Sequence, residues 1–398
     1  MKTNFSIKHT KEIAALLILL SCASEKSLTE DKHSTYHHPF PKIVVGGEST
    51  GKVSIIKDGR IYKTTQIPGA VFHQVMFSKD GKYVFAAASN QNKVYVFDGE
   101  ELTLIKEIDV GEHPSHMDTD DSGQVISVTN EDSGDVSFIS VSELNEIARI
   151  GGFSIPHFAR YYNGFWFVAN FGAPKISVVN LDKKALETEI TSDLLPKCSE
   201  EQEECAFFDV SIRKDIGQGL ASHSSSGYII DFDAKNLKVN KVLTNEDKKL
   251  SQIYTELKDK EAFKTMLSPF DSIGWTIFKG GVIGYDFVAR DISFFWKHEQ
   301  IFSSQVGIEY PGKFFVLLQD KTNIAVINKN GALEKIIDVQ GNPGEGIYHD
   351  GHIYVFVLKE NATDILAIHG DGSYVKIAEL DSPIAEGIHV PGAYPHCH

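Results

Sequence analysis

From residue 42 onward, short apolar runs rich in Val, Ile, Phe and Tyr alternate with turns built from Gly, Asp and Asn. Runs of this kind, bounded by such turns, read as strands. One stretch departs from the pattern. In residues 245–265 ("NEDKKLSQIYTELKDKEAFKT"), Leu250, Ile253, Tyr254 and Leu257 recur at helical spacing and predict a helical insertion. Everything else predicts an all-β chain.

The runs recur in units of about forty residues, the period of a four-stranded propeller blade. Residues 72–110, 115–150 and 156–190 repeat one plan: an opening strand, a turn carrying Gly81, Gly123 or Gly164, an apolar strand, a polar turn, and two further strands. Similar units begin at "FFDVSIRKD", "GWTIFKGG", "VGIEYPGK" and "PGEGIYHDG". The first unit, "KIVVGGESTGKVSIIKDGRIYKTTQI", has only three strands, and the chain closes with an orphan opening strand, "AEGIHVPG". Pairing the orphan with the first unit would remove the exposed edges and close the ring. The expectation is therefore a single β-propeller of eight blades over residues 42–398, closed by a C-terminal strand that completes the first blade. The fifth and sixth units are irregular, so seven blades also fit the pattern.

The innermost strand of a blade borders the central channel, so the residue that opens it stands at one mouth. Counting back seven positions from Gly123 and Gly164 reaches His116 and His157. The same count from Gly81 reaches Gln74, and a one-residue bulge would bring its neighbour His73 into line. Later blades offer Asp209, Gln305, Glu345 and, in the closing strand, Glu386. Three imidazoles with a carboxylate match the four-coordinate preference of Zn²⁺, and imidazole also suits Cu and Ni. The candidate metal ligands are thus His73, His116, His157, Asp209, Glu345 and Glu386. The terminal "PHCH" adds two imidazoles and a thiol, His396, Cys397 and His398, as a candidate accessory set. His113 reads as a turn residue. His349 and His352 straddle a turn and are expected to face solvent, His223 is expected in a hydroxyl-rich surface loop, and His298 and His369 carry no pattern.

Hydrophobic residues make up 42% and charged residues 23%, enough for a core. Against 54 acidic side chains there are 39 Lys and Arg, a formal charge of −15, which disfavours nucleic acid and favours cations on encounter. No Gly-rich phosphate loop, "GxSxG", "HExxH" or "CxxCH" occurs. Ser224, Ser225 and Ser226 beside His223 lack an orienting acid, so the expectation is a binding protein and not an enzyme.

Lys2, Lys8 and Lys11 precede an apolar core, "IAALLILL", too short to span a bilayer, and then "LLSC". This segment resembles a bacterial lipobox. That resemblance implies a lipoprotein-type signal peptide over residues 1–21 and lipidation at Cys22, with residues 22–41 as a polar tether and the protein held by a lipid anchor at the periplasmic or extracellular face of a membrane. In an exported chain, Cys198 and Cys205 of "CSEEQEEC" read by default as a local disulfide.

The stretch "SKDGKYVFAAASNQNKVYVFD" resembles the bacterial YVTN-type β-propellers. Within them, "HPSHM" and "IPHFARYYNGFWFV" resemble the corresponding blades of periplasmic zinc metallochaperones of the AztD type. The resemblance implies zinc carried by His116 and His157 and, as a partner, the binding protein of a metal importer. Two alternatives stand beside it: a haem d1-related propeller holding a tetrapyrrole on one channel histidine, and an interaction scaffold with no metal site.

Overall fold

The computed structural model describes residues 40–47, 50–199, 201–257, 259–298, 307–318, 322–381 and 387–391. They form eight four-stranded antiparallel sheets, the blades of a propeller. Seven blades take their four strands consecutively, with innermost strands Phe72–Phe77, Pro114–Thr119, Pro156–Tyr162, Phe207–Arg213, Ala262–Leu267, Gly307–Tyr310 and Asn342–His349. We number these blades 2 to 8. Blade 1 takes Ile43–Gly46, Lys52–Lys57 and Arg60–Gln66 from the start of the domain and its innermost strand, Ile388–His389, from the end. Val44 pairs with His389 and Val45 with Ile388, and the Gly46 N–H donates to the Gly387 carbonyl at 2.9 Å. The orphan strand thus closes the ring, and the blade count is eight.

Alternation explains the packing. Side chains on the two faces of each blade meet those of its neighbours, giving eight buried apolar clusters for eight seams. Met76, Phe85, Met117 and Val128 seal blades 2 and 3, while Ile347, Tyr354, Ile43 and Ile388 seal blades 8 and 1 across the closure. Each fully buried Phe or Met contributes roughly 1.5–3 kcal/mol of transfer free energy, so every seam is held by several such terms.

The helix is shorter than the predicted insertion over residues 245–265. It spans Lys248–Glu256 and buries Leu250, Ile253 and Tyr254 in the seam between blades 5 and 6. Ala262–Leu267 is instead the inner strand of blade 6, because ladder pairing to Ile273–Phe278 outweighs a helical pattern that ends at Leu257. Cys198 and Cys205 are joined by a disulfide in the connection between blades 4 and 5. No helix among the described residues is long and apolar enough to cross a membrane.

Candidate metal centre

A β-bulge opens most of the inner strands and aims the site. In blade 2, Phe72 pairs with Ala88 and Gln74 with Ala87, which leaves His73 as the extra residue. In blade 4, Pro156 pairs with Asn170 and Phe158 with Ala169, leaving His157. In blade 3, Ser115 and His116 together occupy the step between the pairs Pro114 with Asn130 and Met117 with Val128. A bulge bends the strand and turns its extra side chain out of the alternation, here toward the channel mouth. The same shift recurs at Asp209, Lys264 and Glu345 in blades 5, 6 and 8.

Three consecutive bulges bring three imidazoles together. His116 Nε2 lies 3.2 Å from His73 Nε2 and 3.3 Å from His157 Nε2. A neutral imidazole nitrogen carries either one proton or one lone pair, so His116 Nε2 can form at most one full hydrogen bond from these two contacts. Nitrogens bound at ~2.0 Å to a tetrahedral ion stand about 3.3 Å apart, which is the spacing observed. His157 Nδ1 donates to the Phe208 carbonyl at 2.9 Å, since a carbonyl can only accept. In the neutral ring this leaves a lone pair on Nε2, directed at His116.

Glu131 supplies the carboxylate. Its Oε1 lies 3.7 Å from His157 Nε2, is buried, and accepts no hydrogen bond among the described residues. The ligand atoms of His116, Glu131 and His157 all lie within 4.8 Å of one another. Burial pushes the Glu131 carboxyl up from its usual range, opposed by a hydrogen bond from Ser115 and by the charge of His73 and His113. His116 and His157 are 2% and 7% exposed. Thr129 fixes the two strands: the His116 N–H donates to its hydroxyl at 3.2 Å, and the hydroxyl donates to the His157 carbonyl at 3.0 Å. Phe158 stacks on His116 with ring centroids 3.9 Å apart, and the Arg160 guanidinium sits 4.4 Å from the Phe158 ring. The Phe158 ring thus contacts both His116 and the Arg160 guanidinium. The disulfide loop adjoins the mouth, because the Cys205 and Ala206 N–H groups donate to the Phe171 carbonyl and the Phe171 ring lies 5.7 Å from that of His157.

The other expected ligands are placed differently. Asp209 accepts from Arg160 at 2.9 Å and 3.3 Å, with Asp118 on the far side of the same guanidinium at 3.7 Å. Asp209 is therefore tied into an ion-pair network and lies outside the histidine group. Glu345 is fully buried and accepts from the Gly387 N–H, and burial pushes its carboxyl up to about 8. Glu386, Cys22, His396, Cys397 and His398 lie outside the described residues. His113 makes an exposed contact with Asp132 at 3.3 Å. His223 is not at the surface: it is 0% exposed, and its Nε2 donates to the Pro196 carbonyl at 3.0 Å. Glu131 escaped the reading of the sequence because it follows the second strand of blade 3. The ladder pair Pro114 with Asn130 is the signal that would have placed it beside the bulge.

Toward its other end the channel widens into a cavity of about 490 Å³, lined by the later halves of the inner strands and the hairpins after them. Arg160, Arg213, Lys264, Phe270, Tyr348 and His349 are among its walls.

The family described as lactonase, 7-bladed beta-propeller, has a model that matches residues 48–151. No curated protein sequence matches the chain. Among solved structures, the chain is similar to the dihydro-heme d1 dehydrogenase NirN in complex with DHE, at 13% identity and a TM-score of 0.68, over 88% of this chain and 75% of that one. It is similar to apo AztD from Citrobacter koseri at 13% identity and a TM-score of 0.61, over 88% of this chain and 97% of that one. It is similar to BamB from Moraxella catarrhalis at 10% identity and a TM-score of 0.58, over 80% of this chain and 88% of that one. At such identities the likeness is one of fold. The chain is an eight-bladed β-propeller with a buried histidine group at one mouth of its channel.

Proposed function

We propose that this propeller binds a transition metal, with zinc as its natural cargo, through His73, His116 and His157 with Glu131 as the carboxylate. It serves as a metallochaperone or store and carries out no catalytic step. The observation that carries the reading is the pair of Nε2 separations at His116, 3.2 Å and 3.3 Å, equal to the nitrogen edge of a tetrahedral zinc site. The Phe208 carbonyl holds the His157 Nε2 lone pair in place before an ion arrives, the usual work of a group behind a metal ligand, while the Thr129 hydroxyl ties the His116 and His157 backbones together. Glu201, Glu203 and Glu204 of the disulfide loop put negative charge near the mouth, in keeping with capture of a cation. The partner fitting this reading is a metal-importer binding protein. Residues 1–21 would act as an export signal and Cys22 as the lipid anchor, with residues 22–41 as the tether.

The test is a comparison of the purified full-length protein with its His116→Ala/His157→Ala variant after chelation and dialysis against zinc. The wild type should retain one more equivalent of zinc than the variant, and Co²⁺ at that site should give a tetrahedral visible spectrum. Equal zinc in the two proteins would sink the reading. A purified protein carrying a tetrapyrrole band instead would move the site to the haem d1-related alternative.

A further inference from the structure

At the opposite end of blade 8, three more histidines fall in one row. His349 ends the inner strand and His352 begins the next, joined by an Asp350–Gly351 turn with φ of 45° and 79°, the two-residue hairpin that an Asp-Gly pair favours. His349 pairs directly with His352, and His352 pairs directly with His369 of the third strand. Directly opposed residues project from the same face of a sheet, so all three imidazoles share one face at one level. That face carries Ile347, Tyr354 and Ala367, which pack toward blade 1.

One ring spacing matches those of the first group. The His352 and His369 rings are 4.4 Å apart, against 4.6 Å for His73 with His116 and 4.3 Å for His116 with His157. His352 Nδ1 donates to the Asp350 carbonyl at 3.0 Å, as His157 Nδ1 does to that of Phe208, which leaves a lone pair on Nε2 of the neutral ring. His349 lines the channel cavity, which gives an ion a route in.

We propose that His352 and His369, with His349 as third ligand, form a second binding site for a divalent transition ion that prefers imidazole nitrogen. The site stands at the other end of the propeller from the first and does not depend on it. Such a chain would carry an ion at each end of its channel.

The test removes the first site and then the second. Zinc stoichiometry is measured by equilibrium dialysis of the full chain for the His116→Ala/His157→Ala variant and for the same variant carrying His352→Ala and His369→Ala. Loss of one equivalent between the two supports the proposal, whatever the terminal histidines contribute to both. Equal stoichiometry and affinity overturn it. Should the alanine pair lower the melting temperature, His352→Asn/His369→Asn is judged by the same criterion, since Asn keeps polar bulk without the imidazole. Failure here is distinct from failure of the first site, which is read from wild type against His116→Ala/His157→Ala.

Discussion

Blades 2 to 4 and blades 5, 6 and 8 open their inner strands with the same bulge, yet the residues at those bulges behave in opposite ways. In the first set, His116 Nε2 lies against the Nε2 of His73 on one side and of His157 on the other. In the second, Asp209 is matched by Arg160, and the buried Glu345 is bonded to the Gly387 N–H and lies within the field of Lys264. The backbone device aims side chains at the channel. Their chemistry decides whether they group as imidazoles or enter ion pairs and hydrogen bonds with their neighbours.

Breaking the second set should cost stability and leave metal alone. Asp209→Ala removes the nearer carboxylate from the Arg160 guanidinium, whose side chain is 13% exposed, and leaves Asp118 at 3.7 Å, so the cost falls at or below the low end of the about 3–5 kcal/mol for breaking a buried pair. Denaturant unfolding should show that loss while zinc stoichiometry stays that of the wild type. A loss of zinc would restore Asp209 as a ligand. Breaking the first set should do the reverse. His116 touches both other imidazoles, so His116→Ala should weaken zinc by more than ~100-fold in competition with a chelator, beyond the effect of altering a supporting group. Glu131→Gln keeps the shape and one oxygen but removes the charge of the coordinating carboxylate, and should weaken zinc by at least ~10-fold, the least effect of altering even a supporting group.

The smallest effect concerns His223, a buried histidine in neither set. Burial lowers its pKa from 6.5 to about 4 in the folded protein. Between those values the unfolded chain binds the proton more tightly, so stability is complete above pH 6.5 and falls as pH drops toward 4. His223→Gln should flatten that part of the stability profile measured by urea titration, and an unchanged slope would contradict the assignment.

Much of this contrast was legible in the sequence. The forty-residue period and the orphan strand led to the blades and the closure, because blade geometry imprints itself on every turn glycine and apolar run. His116 and His157 followed from the same count, and His73 needed only the bulge that blade 2 contains. What stayed hidden depends on contacts between blades. Arg160 captures Asp209 across a seam, and periodicity within one blade says nothing about which neighbour a side chain will meet. Glu131 sits one residue beyond its strand, where only the exact ladder register places it. The row of His349, His352 and His369 was invisible for the same reason: residues twenty apart become neighbours only once the third strand has paired.

The central claim is that His73, His116 and His157 share one ion. X-ray absorption at the zinc edge tests it most directly, on the His352→Ala/His369→Ala protein loaded with one equivalent. The account predicts four nitrogen or oxygen neighbours at ~2.0 Å with the scattering of three imidazoles. A sulfur neighbour at ~2.3 Å would place the ion on a cysteine outside the disulfide, Cys22 or Cys397, and contradict it.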